Sequence, residues 1–249
     1  MIYDEKFIIK EYIKGKTAKE IAYYLKTYNT TIRRILIRNN IILRSGYDVN
    51  VRSNNNLITE DTPEKHYWLG YLAADGCVHK DLSRIELNVA EKDRNHLLKF
   101  AEFTGTSIKK YLNSRYNTYT YKVIFRNKYI CAYLNSIGIT PNKSKTIFYK
   151  NTLNFDFLRG VFDGDGYIRK DGREFQIASA SEKFIIQLYN FLKQNNIKNP
   201  IIRKVKDLYL LGIYNTNDYN KLFKLLYYDT SVKLERKFEI YKQNTATST

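Results

Sequence analysis

Residues Tyr67-Trp68-Leu69-Gly70-Tyr71-Leu72-Ala73-Ala74-Asp75-Gly76 are echoed by Phe157-Leu158-Arg159-Gly160-Val161-Phe162-Asp163-Gly164-Asp165-Gly166, ninety positions later. In each copy an apolar helix carries small residues at i and i+4, Gly70 with Ala74 and Gly160 with Gly164, so that one helix face is nearly bare. Two such faces allow two backbones to pack closely. Thr62 with Pro63, and Asn154, are good starts for the two helices. Gly76 and Gly166 suit a left-handed stop just after Asp75 and Asp165. Packed face to face, the helices bring two carboxylates to their shared C-terminal ends, beside two negative dipole ends. Such a cluster calls for a cation. Hard oxygen donors without imidazole or thiolate select Mg²⁺, with Mn²⁺ as a substitute, at Asp75 and Asp165 with the adjoining residues Ala74, Gly76, Gly164 and Gly166.

The duplication extends outward from the decapeptides. Each helix leads into a hairpin, Cys77 to His79 with Arg84 to Val89, and Tyr167 to Arg169 with Glu174 to Ala178. Ile85, Leu87 and Val89 alternate with Arg84, Glu86 and Asn88, as in a sheet with one packed face and one polar face. Next come a helix (91–103, 181–194), two strands (108–113 with 119–126, 201–206 with 209–214) and a closing helix (128–137, 216–227). The expected class is therefore α+β, an α-β-β-α-β-β-α unit occurring twice, over 61–150 and 151–249 with a polar tail.

Ahead of the duplication, residues 1–45 read as three short helices of an all-α lobe. Thr17 and Glu20 form a capping box, and Ile32, Ile35 and Leu36 face inward. Arg33, Arg34 and Arg38 stay outward, an arrangement that resembles the recognition helix of a helix-turn-helix. Residues 46–60 read as a linker, and Arg44 and Arg52 beside it are candidate phosphate contacts.

Charge identifies the partner. Lys and Arg number 42 against 25 Asp and Glu, a formal net charge of +17. No acid lies between Phe103 and Phe155, a stretch with nine Lys or Arg among many tyrosines. That is the footprint of a protein that binds a polyanion, double-stranded DNA before intron RNA. Candidate contacts on the sheets are Arg84, Glu86, Asn88, Lys122, Arg126, Arg169, Arg173, Gln176, Arg203 and Lys204. Two cysteines (Cys77, Cys131) and three histidines supply neither a disulfide framework nor a zinc finger. Apolar runs are too short to span a membrane, and no signal-peptide pattern is present, so a cytoplasmic monomer in a bacterial or phage-infected cell, or in an organellar matrix, is expected.

A Mg²⁺ site beside a basic sheet surface points to phosphodiester hydrolysis. That chemistry also wants a fixed cation near the developing negative charge, and the ninety-residue offset pairs Lys143 with Lys233. The two decapeptides, their terminal acids and the repeated unit resemble the LAGLIDADG homing endonucleases in their monomeric two-motif form, over about residues 61–241. The resemblance implies a saddle of antiparallel sheets in the major groove and double-strand cutting of a long target. It also implies Asp75 and Asp165 as the metal acids, Lys143 and Lys233 as the basic residues of the active-site water network, and Glu91 and Ser179 near a water-ordering position. Ala73 departs from the pattern where Asp163 keeps it. An RNA-binding maturase assisting group I intron splicing, and an inactive DNA-binding regulator, are the other roles such a scaffold implies.

Overall fold

The computed structural model describes residues 3–13, 16–39, 41, 43, 55–59, 61–113, 117–171, 174–230 and 232–246. It divides into two compact units, Met1–Val51 and Arg52–Thr249. The first holds helices α1 (Glu5–Ile13), α2 (Ala18–Tyr24) and α3 (Asn29–Arg38). The capping box at α2 is present, with Glu20 N–H donating to Thr17 Oγ1 (3.1 Å) and Thr17 N–H to Glu20 Oε2 (2.7 Å). Ile8, Tyr12, Ile21, Ala22, Ile32, Ile35 and Leu36 close a small core.

The second unit begins before the duplication. Asn56–Thr59 form a helical turn, α4, with Leu57 buried in the main core, Asn56 Nδ2 on the carbonyl of Phe103 (3.0 Å) and Asn55 bound to Asn127 (3.0 Å). The linker read from the sequence therefore ends in folded structure at 55–59.

Repeat 1 comprises α5 (Pro63–Asp75), β1 (Cys77–Val78), β2 (Ile85–Ala90), a 3₁₀ turn (Glu91–Asp93), α6 (Arg94–Thr104), β3 (Ile108–Asn113), β4 (Thr118–Phe125) and α7 (Lys128–Ser136). A second 3₁₀ turn, Lys143–Lys145, follows. Repeat 2 comprises α8 (Phe155–Asp165), β5 (Gly166–Ile168), β6 (Phe175–Ser179), α9 (Glu182–Gln194), β7 (Ile201–Val205), β8 (Leu208–Ile213) and α10 (Thr216–Tyr227). A last helix, α11 (Glu235–Ala246), has no counterpart in the sequence reading. The result is two antiparallel four-stranded sheets with the same strand order, β1-β2-β4-β3 and β5-β6-β8-β7. Among the described residues no helix is long and apolar enough to cross a membrane.

Alternation along β2 and β6 divides each sheet as expected. Ile85, Leu87 and Val89, and Phe175 and Ile177, are buried under the helices, while Glu86, Asn88 and Gln176 lie on the opposite face. Both helix starts are capped as the sequence predicts: Thr62 Oγ1 accepts from Lys65 N–H (3.2 Å) and Asn154 Oδ1 from Phe157 N–H (2.8 Å).

Candidate active site and nucleic-acid face

Helices α5 and α8 pack backbone to backbone. A Cβ at Gly70 would fall on the carbonyl oxygen of Phe157, and one at Gly160 on that of Tyr67, so the two contacts are reciprocal. Toward the helix ends Gly164 lies against Ala74 and the carboxylate of Asp75, so the four small residues are indeed the seam. Gly76 and Gly166 are not left-handed. Both are extended (φ −71° and −83°), and their glycine requirement is steric, because a Cβ would strike the carbonyls of Leu72 and Phe162.

Asp75 and Asp165 therefore end paired helices side by side, each open to solvent but crowded by protein. Burial pushes the Asp165 carboxyl up to about 6, helped by the charge of Asp75 and opposed by Lys143 and Lys237. Burial also raises Asp75, against the pull of Lys237 and Lys143. Among the described residues no third His, Cys, Asp or Glu joins them. Two carboxylates with room for water and phosphate oxygens fit Mg²⁺, which keeps several waters and rarely takes an all-protein cage.

One lysine from each repeat grips the helix ends. Lys143 Nζ donates to the carbonyls of Ala74 (3.1 Å) and Gly76 (2.5 Å). Its counterpart is Lys237, whose Nζ donates to the carbonyls of Phe162 (2.6 Å), Asp163 (2.9 Å) and Gly166 (2.5 Å). Lys233, which the ninety-residue offset selects, instead bonds the carbonyl of Thr230 (3.2 Å) and lies over the Phe238 ring. Repeat 2 reaches its lysine from helix α11 and repeat 1 from a 3₁₀ turn, so the two arrive four residues out of step. Lys143 is lowered by burial, and Lys237 is lowered by burial to about 8. Of the residues Ala74, Gly76, Gly164 and Gly166 expected beside a metal, Ala74, Gly76 and Gly166 have their carbonyls accepting from these ammonium groups.

Asp163, two residues before Asp165 in α8, is buried. It accepts from Tyr67 Oη (2.7 Å), Tyr227 Oη (2.8 Å) and the N–H of Leu234 (2.7 Å), tying α5, α10 and the C-terminal segment to one carboxylate. It is a scaffold acid behind Asp75 and Asp165.

A protein-family model described as a LAGLIDADG-like domain matches residues 152–227. The structure of I-SmaMI bound to uncleaved DNA target in the presence of calcium ions superimposes on 76% of this chain and 92% of its own, with a TM-score of 0.50 and 15% identity. The K262A mutant of I-SmaMI gives a TM-score of 0.51 over the same shares at 15% identity. The chain has the two-repeat LAGLIDADG fold. Full-length DUF199/WhiA from Thermatoga maritima is also similar, over 78% of this chain and 64% of its own (TM-score 0.49, 15% identity). In sequence, the DNA-directed RNA polymerase subunit Rpo1C of Methanocaldococcus jannaschii is 27% identical over 151 residues, 59% of this chain and only 17% of that much longer relative.

On this LAGLIDADG scaffold the candidate nucleic-acid contacts sort by register. Glu86, Asn88 and Lys122 share the open face of the first sheet, with Arg84 Nε and His79 Nε2 both on Glu86 (2.9 Å each). Arg126 is exposed at the end of β4. Gln176 and Arg203 lie on the open face of the second sheet. There Gln176 Nε2 donates to Tyr214 Oη (3.0 Å), and the Arg203 guanidinium stacks on the Tyr214 ring. Lys204, next in sequence, points to the other face, over Tyr209. Arg169 is exposed and pairs with Asp171 (2.7 Å). Ser179 is buried, accepts from the N–H of Ser181 (3.1 Å) and is no part of an open groove. Glu91 is exposed and accepts from Tyr121 Oη (2.9 Å).

In the N-terminal unit Arg33 and Arg34 are exposed on α3. Arg38 is held in an ion pair with Glu5, which Asn39 Nδ2 also donates to (2.7 Å), so Arg38 serves the lobe's own packing. Arg44, Arg52 and Arg173 lie outside the described residues.

Proposed function

We propose that this chain is a site-specific, divalent-metal-dependent endonuclease acting on duplex DNA. The observation that carries the reading is the pairing of Asp75 with Asp165 at the abutting ends of α5 and α8, where burial, helped by the charge of Asp75, raises Asp165 toward neutrality unless a cation intervenes. When bound, Mg²⁺ supplies charge neutralisation at a scissile phosphate and a water of lowered pKa. Asp75 and Asp165 hold it. Lys143 and Lys237 fix the carbonyl geometry of the two helix ends, and Lys143, with two of its three N–H groups engaged, has one left to direct at a phosphate or water. Polar side chains on the open sheet faces, Glu86, Asn88, Lys122, Gln176 and Arg203, are suited to base edges in the major groove, and the remaining +17 excess to phosphates.

The test is selection from a randomised duplex pool for Mg²⁺-dependent cutting, with Asp75→Asn and Asp165→Asn run alongside. Each variant should lose double-strand cutting and keep, or improve, its affinity for the selected duplex. Wild-type cutting by either variant refutes the metal-acid assignment. Specific binding with no cutting by any form moves the chain to the DNA-binding regulators.

A further inference from the structure

The two sheets have matching strand orders and differ in the chemistry of the outer rows of their open faces. In the first sheet the outer cross-strand row is Lys109, Lys122 and Asn88, followed by Tyr111, Thr120 and Ala90. The matching rows of the second sheet are Arg203, Leu210 and Ala178, then Val205 opposite Leu208. Val205 is 49% exposed and Leu208 44%, so these aliphatic groups are not core residues that happen to lie near the surface. Scattered apolar residues on a surface need no explanation. Cross-strand neighbours on the open face of a strongly cationic chain do. The one cation in the patch turns away from it: the guanidinium of Arg203 stacks on Tyr214, whose hydroxyl lies over Gly212, on the side opposite Leu208. The adjoining turn, Lys206 and Asp207, carries no net charge.

Resting on the reading of these faces as the DNA-binding surface, we infer that repeat 2 reads its half of the target through thymine C5-methyl groups, by way of Ala178, Val205, Leu208 and Leu210. Repeat 1 reads its half through hydrogen bonds. Aliphatic side chains neither donate to nor accept from base edges, and the thymine methyl is the one apolar group that a major groove presents. A two-stranded ribbon such as β7-β8 fits that groove.

Replacing thymine by deoxyuridine removes the methyl and leaves pairing and hydrogen-bonding groups unchanged. Affinity of the full chain for its selected duplex, measured by titration without divalent metal, should fall about fourfold per contacted methyl, about fifteenfold for two, when deoxyuridine fills one half-site. The same replacement in the other half should change little. In the exposed-residue variant Val205→Ser/Leu208→Ser the deoxyuridine penalty should shrink severalfold, whereas Lys122→Ala should weaken binding and leave the penalty intact. Equal penalties in both halves, or an undiminished penalty in Val205→Ser/Leu208→Ser, overturns the methyl reading while specific DNA binding stands. Failure to select any duplex overturns both.

Discussion

Ala73 and Asp163 stand at the same place in the two repeats, and the structure behind each acid site follows from that one difference. In repeat 1 Ala73 brings no carboxylate to the helix end, and Lys143 approaches from a short 3₁₀ turn and engages two carbonyls. In repeat 2 Asp163 is buried near the C-terminal end of α8, where the helix dipole opposes it and burial raises its carboxyl. Two tyrosine hydroxyls, one backbone N–H and the nearby ammonium of Lys237 compensate. All three N–H groups of Lys237 are then committed to carbonyls. The same gripping role is thus filled in one half by a residue with a donor to spare and in the other by a residue locked into the scaffold. A duplicated fold can keep a site symmetric at the acids while differing one shell behind them.

The largest effect should come from the feature the repeats share most closely. Gly70→Val and Gly160→Val each place a side chain on a carbonyl oxygen of the opposite helix, with backbone on both sides and no flexible group to give way. Each should cost more than about 4 kcal/mol, beyond the usual range for a point substitution, and abolish cooperative unfolding in urea. A wild-type midpoint for either would show that the helices do not meet at those glycines.

The lysines should separate where the glycines do not. Lys237→Met leaves Asp163 as a buried anion without its neighbouring cation and should cost about 3 kcal/mol or more. Lys143→Met removes two bonds to carbonyls and should cost about 1–2 kcal/mol, with a disproportionate loss of cutting. Lys233→Met should change neither quantity appreciably. Because Lys237 and Asp163 share one network, Asp163→Ala/Lys237→Met should cost less than the two single changes added together. Urea midpoints for these variants and for Asp163→Ala alone test this, and additivity would dissolve the proposed coupling.

Much of this was legible in the sequence because the signal was periodic or duplicated. The decapeptides set the helix seam, Thr62 and Asn154 set the helix starts, and alternation from Ile85 to Val89 set the sheet face. Three failures have separate causes. The offset rule that chose Lys233 assumed that both repeats close with the same connection, and helix α11 broke that assumption. Gly76 and Gly166 were assigned to a backbone conformation when the constraint was space, which a one-letter code does not distinguish. Leu57 belongs to the core through a four-residue turn too short to show any period. The aliphatic face of β7-β8 was hidden differently, since the alternation of Arg203 and Lys204 was readable but their cationic character drew both to the same partner.

The smallest effect concerns pH and falls on one repeat only. Tyr67, in α5, bonds both Asp163 and His96 Nε2 (2.7 Å each), whereas its counterpart Phe157 stacks on Tyr149. Burial holds the folded His96 at about 3, far below the 6.5 of the free side chain. As pH falls, the unfolded chain takes up this proton first, so the contribution of neutral His96 is complete above about 6.5 and is lost progressively between there and 3. The slope is up to about 1.4 kcal/mol per pH unit, so going from pH 7 to 5.5 should cost about 1 kcal/mol at this residue. His96→Gln keeps a donor for Tyr67 Oη and cannot titrate. Its urea midpoint should therefore fall less than that of the wild type over the same interval. Parallel losses in both proteins would place the acid sensitivity elsewhere, in the carboxylate network that the two repeats share.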